Sequence, residues 1–114
     1  MKRPPRTVGC PVELSLELLG GKWKPVILAR LKEQPLRYGD LRRLIPRLSD
    51  KVLTERLADL RMQGLIVREE SGADVGFYRL TEQGQTLRPL LQSLYEWGET
   101  QAAALKVTVR SEEP

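Results

Sequence analysis

Apolar residues recur along this chain at helical spacing as far as Gly64 and at strand spacing just beyond it. Residues 47 to 65, RLSDKVLTERLADLRMQGL, carry the clearest helical pattern. At about 100° per residue Leu53, Leu57 and Leu60 share one stripe, while Lys51, Thr54, Glu55 and Ala58 share the far side. Ser49 stands where an N-cap accepts an orphan amide, and Gly64 where a left-handed residue stops the last turn. The spacing therefore predicts a helix from Asp50 to Gln63, with a core stripe and a polar face. On most amphipathic helices such a face is merely solvated, so the rest of the chain must say whether this one does more.

Three shorter helices are expected before it. CPVELSLELLGG places Pro11 at a first helical position and Gly20-Gly21 at the stop, with Val12, Leu16 and Leu19 on one side. KWKPVILARLKE supplies a second, in which Trp23, Ile27, Leu28 and Leu31 are core candidates and Pro25 is tolerated in the first turn. QPLRYGDL reads as an extended link turning into a third helix over Tyr38 to Leu44, closed by Pro46. After Gly64, LIVREE and FYRL alternate as two strands, joined by SGADVG as a hairpin loop. A final helical stretch follows, with Thr81 as its cap and Pro89 either kinking it or opening a separate helix. Residues 1–9 read as a Pro-rich basic arm, 10–105 as one domain and 106–114 as a frayed tail.

Helices, a tight turn, a helix and then a β-hairpin form the order of a winged helix-turn-helix, mainly α with a small β-hairpin (α+β). In that architecture the helix after the turn enters the DNA major groove, which is about 12 Å wide. The polar face then acquires a use: Ser49, Asp50, Lys51, Thr54 and Glu55 are the candidate readers of base edges. Asp50 and Glu55 suit this as acceptors for the cytosine amino group and are unfavourable against phosphate.

Charge refines the picture. Lysine and arginine total 19 against 15 acidic residues, a formal charge of +4, which suggests a polyanionic partner. The excess gathers in RYGDLRRLIPR, where Arg37, Arg42, Arg43 and Arg47 are the candidate phosphate contacts, while the following helix is nearly neutral. The arm adds Lys2, Arg3 and Arg6. The wing sequence EESGADVGF is acidic through Glu69, Glu70 and Asp74, which leaves Arg68 and Arg79 as candidate wing contacts or as intramolecular braces. Arg56 borders the leucine stripe and is expected to brace the helix through Asp40 or Glu55.

With no histidine and one cysteine, neither a Ser/His/Asp nor a Cys/His triad can be assembled, no internal disulfide can form, and no metal or other cofactor is expected. An enzyme is not the expectation. No apolar run approaches the roughly 20 residues that span a bilayer, and MKRPPR is not followed by a secretory segment, so the expected location is the cytoplasm, away from membrane.

CPVELSLELLGGKWKPVILARL, LRYGDLRRLIPRLSDKVLTERLADLRMQGLIVRE, YRLTEQG and LYEWGE, in this order, resemble the HxlR-type regulators, relatives of the MarR-like winged-helix proteins. The resemblance covers about residues 10 to 99. It implies a prokaryotic transcription regulator that binds double-stranded operator DNA as a homodimer. Ser49 to Arg61 becomes the recognition helix, residues 65 to 80 the wing, and the first and last helices the dimer interface through Val12, Leu16, Leu90, Leu94 and Trp97. Family wings are commonly proline-rich and carry a basic residue, and this one departs from that. Two subunits would set recognition helices about one DNA turn, roughly 34–36 Å, apart on a pseudo-palindrome. Tyr95 and Trp97 fit burial against the second subunit better than a ligand pocket, and no small-molecule effector is assigned.

Cys10 remains. Beside Pro11 it sits near an N-cap, where the helix dipole favours an anionic sulfur, with Arg6 close in sequence. Some members of the resembled family use a cysteine in this position to sense oxidants or electrophiles; the alternative is a cysteine that only packs. The competing function is a winged-helix protein-interaction module whose arginines dock an acidic protein, an idea favoured by the neutral helix and acidic wing.

Overall fold

The computed structural model describes residues 6–70 and 76–110. The expected loop residues 71–75, including Asp74, the arm residues Lys2 and Arg3, and the last four residues lie outside that range. Within it the order is α1 (Pro11–Leu19), α2 (Trp23–Glu33), β1 (Leu36–Arg37), α3 (Tyr38–Leu44), α4 (Asp50–Met62), β2 (Ile66–Glu69), β3 (Phe77–Leu80), α5 (Glu82–Gln85) and α6 (Arg88–Leu105).

The helix limits follow from local chemistry. Pro11 opens α1, and Gly21 takes a φ of 80° in the break before α2. Ser49 caps α4 by accepting from the Val52 amide at 3.2 Å, and Gly64 follows the helix with a φ of 75°. Thr81 caps α5 by accepting from the Gly84 amide at 3.0 Å and donates to the Gly64 carbonyl at 2.6 Å. Pro89 does not kink a continuous helix. It sits in the first turn of α6, where its missing amide is one that would have no intrahelical partner.

The sheet corrects the expectation of two strands. Leu36 and Arg37, expected as an extended link, pair antiparallel with Tyr78 and Phe77, so the sheet has three strands in the order β1-β3-β2. The β2–β3 register sets Ile66 against Leu80 and Arg68 against Tyr78. This third strand ties the start of α3 to the hairpin, fixing the wing relative to the helix-turn-helix.

The core is built from Ile27, Leu28 and Leu31 of α2, Leu41 and Leu44 of α3, and the Leu53–Leu57–Leu60 stripe of α4. Leu36, Ile66, Tyr78 and Leu80 cover it from the sheet, and Leu91 from α6. Trp23 is half-buried against this cluster. By contrast α1 buries no residue and α6 buries only Leu91. Among the described residues no helix is long and apolar enough to cross a membrane.

Candidate nucleic-acid interface

The turn between α3 and α4 is held from inside and outside. Ile45 and Leu48 are buried beneath it, and the Leu48 amide donates to the Ile45 carbonyl at 3.1 Å. Outside, the Arg42 guanidinium donates to the Leu48 carbonyl and pairs through Nε with Asp50 at 3.0 Å. These contacts fix how α4 leaves α3, with its leucines inward and Lys51, Thr54, Glu55, Ala58, Arg61 and Met62 exposed.

The expected base readers differ in how free they are. Ser49 is occupied as the cap. Asp50 accepts from the Tyr38 hydroxyl at 2.6 Å and is ion-paired with Arg42. Thr54 is exposed with its hydroxyl 3.5 Å from that of Tyr38, a distance at the outer limit of hydrogen bonding. Lys51 and Glu55 are exposed and form no ion pair among the described residues. Tyr38, which the sequence reading assigned only to the start of a helix, is thus part of this surface. A half-buried phenol at a helix terminus needs a polar partner, and that was the available signal. Its hydrogen bond to Asp50 raises its pKa above the ordinary 10.0, so it is a donor at neutral pH.

The arginines also divide. The Asp40 carboxylate accepts from the Arg37 backbone amide at 3.0 Å and from the Arg43 guanidinium at 2.7 Å. Those two bonds hold its pKa below the ordinary 3.8. Arg47 is exposed on the turn without an ion pair among the described residues. In the wing, Arg79 pairs with Glu69 and donates to the Leu80 carbonyl at 3.2 Å. The Arg79–Glu69 hydrogen bond lowers the Glu69 pKa and raises that of Arg79. Arg79 is therefore engaged within the sheet, whereas Arg68 lies 3.6 Å from Glu70 and folds over Gly76. Arg56 faces Asp59 at 4.0 Å, not Asp40 or Glu55 as expected, because residues three apart are neighbours on a helix.

Between the start of α3, the outer face of α4 and the hairpin runs a groove of about 690 Å³. Four arginines line it, Arg37, Arg43, Arg61 and Arg68, together with Tyr38 and Thr54. Arg61 was not among the expected phosphate contacts. It lies seven residues after Thr54, two helical turns along the same face, and that periodicity could have found it. On this geometry a positively charged channel runs beside the exposed face of a capped helix, the arrangement of a polyanion-binding surface.

Outside this groove Val12, Leu16, Leu90, Leu94 and Trp97 are all exposed, the last at 66%, as is Tyr95. Cys10 is exposed at the N-cap of α1, where its carbonyl accepts from the Glu13 amide at 2.9 Å. Arg6, its neighbour in sequence, pairs with Glu17. Among the described residues there is no group of acidic, cysteine or histidine side chains that could hold a metal.

Three tightly connected helices, a capped helix after a short turn and a three-stranded wing define a winged helix-turn-helix protein. A family model for the HxlR-like helix-turn-helix matches residues 18–106, and the chain belongs to that family. It is 35% identical over 104 residues to the HTH-type transcriptional regulator YybR of Bacillus subtilis strain 168, covering 90% of this chain and 83% of that one. Among solved structures, the redox regulator HypR in its reduced form is similar with a TM-score of 0.77 and 33% identity, over 87% of this chain and all of that one. The quinone-bound YodB from B. subtilis is similar with a TM-score of 0.67 and 32% identity, over 80% of this chain and 99% of that one. The protein is a transcriptional regulator of the helix-turn-helix type and not an enzyme.

Proposed function

We propose that this regulator acts in the cytoplasm as a homodimer that binds a pseudo-palindromic operator. α4 enters the major groove and the arginine-lined groove follows the DNA backbone. The observation that carries the reading is the adjacency of an exposed, capped helix face to four arginines in one groove. Lys51 and Thr54 are the readers, Arg37, Arg43, Arg47 and Arg61 the phosphate contacts, and Arg68 the wing contact. Glu55 suits a cytosine amino group. Arg42 and Arg79 serve chiefly as braces, because each guanidinium, besides its ion pair, also donates to a backbone carbonyl of the fold, Leu48 for Arg42 and Leu80 for Arg79.

The dimer rests on the apolar faces of α1 and α6, which are more than one domain of this size needs to expose. Cys10 is the group through which oxidants or electrophiles act, a reading supported by its exposure and by the likeness to a redox regulator and to a quinone-bound structure. With one cysteine per chain, a disulfide switch joins the two subunits or uses a small thiol. Domain limits of 10–105 for the folded unit, with 1–9 as arm and 106–114 as tail, complete the reading.

The test is sedimentation of the reduced protein, alone and with duplex DNA, across a salt series. A dimer whose log affinity falls linearly with log salt is expected. A monomer, or affinity for duplex weaker than about micromolar at physiological salt, would turn the reading towards docking of an acidic protein.

A further inference from the structure

The carboxylate of Asp50 occupies an unusual position for an acidic group on a surface meant for DNA. It belongs to the first residue of α4, its side chain is 70% exposed, and a free carboxylate there would repel phosphate. It is not free. Oδ1 accepts from the Tyr38 hydroxyl at 2.6 Å and lies 3.0 Å from Arg42 Nε as an ion pair. Arg42 simultaneously donates to the Leu48 carbonyl in the turn, and Tyr38 stands at the first position of α3. One oxygen of Asp50 is therefore held from two directions by residues that are themselves fixed in the preceding helix.

Resting on the DNA-binding reading above, we infer that Tyr38 is a specificity-determining positioning residue: with Arg42 it fixes Asp50 so that Oδ2 is presented as a directed acceptor to the DNA. Arg42 offsets the charge that would otherwise oppose the backbone, and Tyr38 removes the rotational freedom that would let the carboxylate turn. An acceptor held in one direction suits the exocyclic amino group of cytosine and disfavours a carbonyl oxygen at the same place. Tyr38 acts through Asp50 and need not touch a base. Its hydroxyl also lies 3.5 Å from that of Thr54, so the constraint reaches the next reader one turn along the helix.

The experiment uses the full chain and the duplex most enriched by the parent protein from a random pool. The same duplex is also made with single base-pair changes at each position. Tyr38→Phe keeps the ring and loses only the hydroxyl; thermal melting is measured in parallel. The variant is expected to bind the selected duplex roughly tenfold more weakly, the size of one hydrogen bond to a charged group. It should lose discrimination at one or two base pairs per half-site while binding mismatched duplexes nearly as the parent does. In an Asp50→Asn background the same change should alter binding less than about twofold, because contacts acting through one group are not additive. A Tyr38→Phe protein with the parent's discrimination, or losses from Tyr38→Phe and Asp50→Asn that simply add, would overturn the assignment. A folded parent that enriches no duplex would overturn the DNA-binding reading and this inference with it.

Discussion

The Arg43 guanidinium donates to the Asp40 carboxylate at 2.7 Å, and the same carboxylate accepts the Arg37 amide at the start of α3. One acidic side chain thus caps a helix and sets the direction of an arginine in the charged groove. Because these bonds lower the Asp40 pKa below 3.8, their contribution to stability is full above that value and is lost as the pH falls towards the folded-state pKa. Asp40→Asn should therefore lower the urea midpoint at about pH 6, and the gap from the parent should close in acid. Midpoints measured at both pH values check this; a gap that persists in acid would mean the bonds do not depend on charge.

Removing Arg43 should act on DNA and not on the fold. Its side chain is 65% exposed, so Arg43→Ala should leave the melting temperature nearly unchanged. It should weaken binding to all duplexes alike and reduce the slope of log affinity against log salt by about one. Lys51→Ala and Thr54→Ala should instead weaken the preferred sequence more than unrelated ones. Titrations against both kinds of duplex distinguish the two classes, and identical behaviour would remove the division between positioning and reading.

Leu57 lies on the same helix as Lys51 and Thr54, but only 2% of it is exposed. Leu57→Ala should destabilise the domain by about 2–5 kcal/mol through the cavity it leaves. DNA binding would fall only in proportion to unfolding. Urea denaturation beside titration at low temperature separates the two effects.

Gly84 offers a steric test of the joint between the wing and the C-terminal helices. A Cβ there would stand 2.1 Å from the Leu65 carbonyl oxygen and 3.3 Å from the Leu80 Cβ. Backbone must move to admit it, so Gly84→Ala should cost about 1–3 kcal/mol. Gly39 in α3 has nothing within 4 Å of the same position, and Gly39→Ala should stabilise by about 0.5 kcal/mol. Melting curves of the two variants should shift in opposite directions.

What could be read in the sequence was local. Ser49, Thr81 and Pro11 act on amides within the next turn, and the leucines of α4 repeat at the helical period, so residue type and spacing were enough. The third strand was not legible because two residues, Leu36 and Arg37, show no period, and their partners Tyr78 and Phe77 lie about forty positions away. The same holds for the candidate interface. Asp50 looked like a free acceptor because nothing in its neighbourhood of the chain shows that Tyr38 and Arg42 return to it across the turn. For Arg79 the sequence left a wing contact and an intramolecular brace both open, and the strand register sets it opposite Val67, diagonal to the Glu69 with which it pairs. Residue types announced an arginine-rich surface, and only the tertiary arrangement divided it into braces and exposed cations.

The most direct test of the central claim is selection of bound sequences from a random duplex pool, with reduced and peroxide-treated protein side by side. A two-fold-related motif with half-sites about one helical turn apart is expected, enriched by the reduced protein and lost on oxidation unless Cys10 is replaced by serine. Enrichment of the motif by both samples would contradict the role of Cys10 and leave the operator reading intact. No enrichment by folded, reduced protein would contradict the operator reading itself.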